Sequence, residues 1–203
     1  TVQNAGLTRL GDWKLAVGWP FAVVSTALFG GALPWAVQRL RARYRAQTRW
    51  THLFFLCVLW GWKGFEIDLL YRGLGWLLGE QPSVGVVALK VLIDMGPWVI
   101  LWAVPTTVLG YDWKDAGFSA ARMRREGKWP RPLGAWYRRR VVPVLISNWA
   151  VWTPAVCVIY CLPLALQLPV QNLVLLFWSL MLVLMVGGAE EEPDSVRVVL
   201  SEG

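Results

Sequence analysis

The amino-acid sequence predicts an all-α integral membrane helical bundle of four to five spans, the last two forming an uncharged hairpin. Three observations predict it. From Val141 to Ala189, forty-nine consecutive residues include no Asp, Glu, Lys, Arg or His, whereas about 20 apolar residues suffice for one helical crossing of a bilayer. The 203-residue chain is 56% hydrophobic with a mean hydropathy of +0.45, so its exterior as well as its core must be apolar. Its basic residues gather in alternate connections, the pattern that orients membrane helices. The length suits one membrane bundle and leaves too little chain for an added soluble domain.

The elements follow in order. Residues 1–12 read as a short polar tail and residues 13–40 as span one, uncharged from Leu15 to Gln38. Pro20 falls in its first turns and Pro34 near its end, and Gly18, Gly30 and Gly31 allow another helix to come close. Arg39, Arg41, Arg43, Arg45 and Arg49 follow. They read as a topogenic loop facing lipid head groups, or more sharply as an anionic-lipid site. Span two, residues 50–78, is apolar until Lys63, Glu66, Asp68 and Arg72 interrupt it. Lys63 with Glu66 (i,i+3) and Asp68 with Arg72 (i,i+4) are spaced to pair on a helix, which lowers the cost of holding charge at or inside the membrane edge.

Span three, residues 84–111, places Lys90 and Asp94 at i,i+4 on one face. They read as a structural ion pair or as a functional one. Residues 112–140 form a loop with nine Lys or Arg against three acids. It holds a helical piece at Asp115 to Glu126 and the breaker Trp129-Pro130-Arg131-Pro132. Arg138, Arg139 and Arg140 stand directly before the hairpin. Spans four and five are residues 141–162 and 170–187, with Pro163 and Pro169 marking the turn between them. The end, residues 188–203, is acidic through Glu190, Glu191, Glu192 and Asp194 and reads as a solvent-exposed contact arm.

Five spans put both basic loops on one side, facing cytoplasm or mitochondrial matrix, with the C-terminus beside them. A four-span version makes one half of the hairpin re-entrant or tilted. The net charge of +7 then meets anionic head groups or sets topology rather than binding nucleic acid. The fifteen tryptophans suit the membrane–water interface. Cys57, Cys157 and Cys161 lie in apolar runs and read as small packing residues. Cys157 and Cys161 share a helix face, but no His, Asp or Glu stands near to complete a metal site. His52, the single histidine, reads as an interface residue. With no Cys–His or Ser–His arrangement and no phosphate-binding Gly-rich loop, neither an enzyme nor a cofactor is expected. The first apolar run is too long for a signal peptide, and a chain opening on Thr1 fits either a removed targeting segment or numbering that starts inside a longer chain.

The hairpin carries a pattern: Ile146-Ser147-Asn148-Trp149-Ala150-Val151-Trp152, then Tyr160-Cys161-Leu162-Pro163-Leu164, then Trp178 with Leu182. It resembles the C-terminal signature of the Mpv-seventeen and peroxisomal membrane protein twenty-two family. Trp13-Lys14, Gly64, Tyr71 and Lys90 with Asp94 resemble further positions of that family, so the likeness runs over nearly the whole chain. The sequence departs from the pattern at Gly31-Ala32, Asp94-Met95, Val156, Ile159, Gln167, Val183 and Trp152-Thr153-Pro154, mostly by losing polar groups.

The resemblance implies a helical bundle of an organelle membrane, the mitochondrial inner membrane first and the peroxisomal membrane second, with a role in membrane homeostasis and a proposed solute pore. The thinned polar positions favour a non-enzymatic accessory subunit, of a respiratory or ATP-synthase assembly for instance, over a small-solute channel. The expected partners are membrane lipids and other membrane subunits. Arg41, Arg43, Arg45, Arg138, Arg139 and Arg140 are the expected ligands of anionic phospholipid such as cardiolipin. Lys63, Glu66, Asp68, Lys90 and Asp94 are expected as intramembrane charge pairs or pore lining.

Overall fold

The computed structural model describes residues 13, 14, 16–41 and 48–188, with side chains as far as Met181. Among the described residues every regular element is helical: α1 (Trp19–Leu40), α2 (Trp50–Leu78), α3 (Val84–Asp115), α4 (Ala120–Arg125), α5 (Leu133–Ile159) and α6 (Leu164–Gly188). Four of these, α1, α3, α5 and α6, are long and apolar enough to cross a membrane. The chain is an integral membrane helical bundle. The fifth long helix, α2, has 29 residues, about 43 Å at 1.5 Å per residue. Its length suits a crossing, but four charges within ten positions, Lys63 to Arg72, interrupt its apolar run.

The packing explains how α2 tolerates them. Neighbour contacts run α1–α2, α2–α3, α3–α5, α5–α6 and α6–α1, so the five long helices close into a ring, and α2 also touches α6. Lys63, Glu66 and Asp68 of α2 are buried by this ring. Large apolar side chains such as Leu92, Leu101, Ile146, Leu173 and Phe177 point outward. An exterior of that kind is stable in hydrocarbon and a liability in water.

Helices α1 and α2 come together backbone to backbone. A Cβ added at Gly30 would lie 2.6 Å from Trp60 of α2 and 2.8 Å from Leu175 of α6, and one at Gly64 would collide with the Ala22 carbonyl. Small residues at such a crossing replace a hydrophobic driving force that lipid does not supply. The α1–α6 contact is fastened by hydrogen bonds: Thr26 Oγ1 donates to Asn172 Oδ1 (2.9 Å), and Asn172 Nδ2 donates to Ser25 Oγ (2.9 Å).

Helix α3 bends. Pro97 has no N–H to give, Gly96 leaves helical geometry (φ −86°, ψ −111°), and Asp94–Ala103 winds as a wide π-helix. The carbonyls this strands are met from α5: Trp149 Nε1 donates to Met95 O (2.8 Å) and Tyr137 Oη donates to Ile100 O (2.6 Å). Within a bilayer no water would satisfy them.

Several boundaries differ from the sequence expectation, among them the end of α3, at Asp115 rather than 111. Helix α5 begins at Leu133 rather than 141, because Arg138, Arg139 and Arg140 continue the helix on a π-type turn. The hairpin turn occupies residues 160–163, so Pro169 lies inside α6 instead of in the turn. Pro169 is the sixth residue of α6, so its missing N–H costs the helix one early hydrogen bond, to the Ala165 carbonyl. The helical piece of the third loop is shorter than expected, Ala120–Arg125, with the Ser119 hydroxyl capping its start by accepting from Arg122 N at 3.3 Å. The N-terminal tail (residues 1–12) and the acidic tail from residue 189 lie outside the described residues.

Candidate functional site

Between the helices of the ring lies a chamber of about 940 Å³, partly open to the outside and lined by residues of all five long helices. Its length follows from α3, which contributes residues from Asp94 to Asp115. At 1.5 Å per residue, less for the π-type turns, that is roughly 25–30 Å, most of a hydrocarbon core. The wall is largely apolar, and its polar groups fall into three levels.

At the hairpin end, Tyr160 Oη donates to Asp94 Oδ2 at 2.7 Å. Tyr71 packs edge-on against Tyr160, centroids 5.4 Å apart. The Lys90 ammonium sits over the Tyr160 ring, 5.9 Å from its centroid. Lys90 and Asp94, expected as an ion pair, therefore flank the tyrosine instead of bonding each other. The phenol reaches the carboxylate first, and the lysine takes the π face.

At mid-depth, Lys63 Nζ donates to Glu66 Oε2 (2.9 Å) and to Thr106 Oγ1 (2.6 Å), and Trp102 Nε1 donates to Glu66 Oε1 (3.0 Å). Both carboxylate oxygens and two of the ammonium's three protons are thus engaged, the condition under which a buried pair is tolerated. Toward the basic loops, Arg140 forms an ion pair with Asp112, with Nε donating to Oδ2 at 3.2 Å. Trp60 Nε1 donates to Tyr111 Oη at 3.1 Å. Arg140 was expected to face lipid phosphate. Its guanidinium pairs with Asp112, two per cent exposed on α3 and otherwise a bare buried charge, while the arginine side chain itself stays exposed.

Comparison with protein-family models, curated proteins and solved structures finds no match. The site is accordingly read from its own geometry.

The remaining expected residues are distributed as follows. Asp68 lies outside the chamber, between a buried base and an exposed one: Lys14 Nζ is 3.1 Å from Oδ1 and Arg72 Nε 2.7 Å from Oδ2, while Lys14 also donates to Leu164 O (3.3 Å). This ties the segment before α1 to α2 and to the start of α6. Asn148, Trp152 and Trp178 line the chamber, Trp149 serves the α3 kink, Tyr160 holds Asp94 and Pro163 ends the hairpin turn. Arg138 and Arg139 are exposed, Arg41 is half-buried, and Arg43 and Arg45 lie outside the described residues. His52 stands apart from the chamber, 6.2 Å from the Phe118 ring. Among the described residues no group of His, Cys, Asp or Glu could hold a metal; the Cys161 thiol donates to Cys157 O at 3.2 Å.

Sequence reasoning missed three participants. Lys14 was weighed only for its resemblance, though it is the base that Asp68 shares with Arg72. Asp112 was assigned to the loop, yet it is helical and buried. Gln171, within the uncharged hairpin, is 4% exposed, lines the chamber, and its Oε1 has no hydrogen-bond partner among the described residues.

Proposed function

We propose that this chain is a non-enzymatic membrane protein that admits a small solute to the chamber at the centre of its helix ring, as a pore or carrier. The observation that carries the reading is the chamber itself: about 940 Å³, walled by every long helix, with polar groups at three depths. A structural subunit gains nothing from surrounding so much unfilled space, because interiors otherwise pack to near crystal density. Of the two roles the sequence suggests, accessory subunit and solute channel, this supports the second. The polar lining is thin but well placed, and a mostly apolar wall with a few convergent polar groups is the usual form of a solute site. The Arg140–Asp112 pair bridges α5 and α3 at the basic-loop end and is the natural point of closure. Exposed Arg138 and Arg139 beside it suit the phosphates of anionic phospholipid, cardiolipin included.

The test is flux. Purified protein in liposomes should release an entrapped small polyol faster than protein-free liposomes. Ser147→Trp, which fills the chamber, should abolish the release, and Ile146→Trp, which faces outward, should not. Folded protein that gives no release, and that migrates in native membranes with a large complex at fixed stoichiometry, would return the accessory-subunit role to first place.

A further inference from the structure

Within the chamber, Asp94 differs from the other acids. Glu66 is held by Lys63, Asp112 by Arg140, and Asp115 by Lys114 at 2.7 Å. Asp94 is 5% exposed and forms no ion pair with any described base; its one recorded bond is from the Tyr160 hydroxyl. Lys90, four residues earlier, faces the tyrosine ring instead. A carboxylate kept inside a membrane bundle without a paired cation is costly, and the cost falls when a cationic guest arrives.

The surroundings define the guest. Tyr71, Trp98 and Trp152 line the chamber with Asp94. Aromatic walls attract ammonium groups through the ring quadrupole, and more so where water is excluded. The protein shows this locally, because the Lys90 ammonium already rests over Tyr160. A bare metal ion is a poorer fit, since it would need several more oxygen ligands than Asp94 supplies.

We infer that the hairpin end of the chamber is a binding site for a small organic ammonium solute, with Asp94 as its counter-charge and Tyr71, Trp98 and Trp152 as its aromatic wall. This rests on the reading of the chamber as a solute site. The volume is at the upper end for small-molecule sites, so the guest enters with some of its water.

The experiment compares two probes of the same shape. Choline and its uncharged carbon analogue, 3,3-dimethylbutanol, are titrated into detergent-purified protein against sodium chloride controls. Binding is read by intrinsic tryptophan fluorescence and by the unfolding temperature. Saturable choline binding, at least tenfold tighter than the alcohol, is expected, and Asp94→Asn should weaken choline at least tenfold while leaving the alcohol unchanged. The two-probe comparison on the unsubstituted protein decides the matter even where that variant fails to fold. Equal affinity for both probes, or no choline binding, would overturn the inference. Liposome flux of the neutral polyol without choline binding would sink the ammonium site and leave the chamber reading standing. Absence of both would remove both.

Discussion

Substituting Gly64 by alanine should separate α1 from α2. A Cβ at residue 64 would overlap the Ala22 carbonyl oxygen and lie 2.6 Å from both Cβ and Oγ1 of Thr26. The carbonyl is backbone in the first turn of α1, so no rotamer change relieves the overlap. The helices must move apart by about 1 Å to restore ordinary contact near 3.5 Å. Overpacking of this kind costs about 1–3 kcal/mol. Displacing Thr26 also strains its hydrogen bond to Asn172, worth about 1 kcal/mol. Against this, alanine gains about 1 kcal/mol over glycine in helix propensity. The net expectation is a loss of about 1–3 kcal/mol. Gly73→Ala is the matched control: it lies on the same helix with nothing within 4 Å of the added Cβ, so only the propensity gain, up to about 1 kcal/mol, should remain. Thermal unfolding in mild detergent, followed by circular dichroism, should move the two variants in opposite directions. Gly64→Ala at least as stable as Gly73→Ala would refute the close α1–α2 contact.

Other consequences are as direct. Asp68→Asn removes the negative charge that balances Lys14, which is 1% exposed. Unfolding in detergent should show a loss of about 3–5 kcal/mol, as when one partner of a buried pair is removed. Trp149→Phe keeps the ring but strips the donor from the Met95 carbonyl at the α3 kink, so the same assay should register a loss of about 1–3 kcal/mol. Arg138→Gln with Arg139→Gln should reduce the number of anionic lipids retained in native mass spectrometry with little change in stability, whereas Arg140→Gln should destabilise by about 2 kcal/mol, because Asp112 is buried and the arginine is partly exposed.

The parts of the fold legible in the sequence are those that local composition dictates. The uncharged run from Val141 to Ala189 announces two helices because no charge in it needs water, and Lys63 with Glu66 announces a pair because three residues bring them to one face. The illegible parts depend on how helices rotate against one another. Asp94 was assigned to Lys90 by spacing, but Tyr160, sixty-six residues away, wins it. That choice is set by the α3 kink and the α3–α5 crossing, neither of which leaves a periodic signal. Lys14 meets Asp68 for the same reason, through an α1–α2 contact fixed at Gly64. Pro169 misled because proline is read as a breaker, whereas α6 continues through it at the cost of the hydrogen bond to the Ala165 carbonyl. The chamber was the least legible feature, since unfilled space between five helices has no residue of its own.

The central claim is that the ring encloses a solute-accessible chamber, and adjacent residues of α5 test it. Ser147 lines the chamber, while Ile146 is 62% exposed on the outer face at the same depth. Each would be changed to cysteine in a protein whose Cys57, Cys157 and Cys161 are replaced by alanine. The protein is then reconstituted in sealed liposomes and treated with a small charged thiol reagent that does not cross lipid. The account predicts rapid modification of Ser147→Cys and none of Ile146→Cys. Equal protection of both would show a sealed, solute-free interior and contradict it.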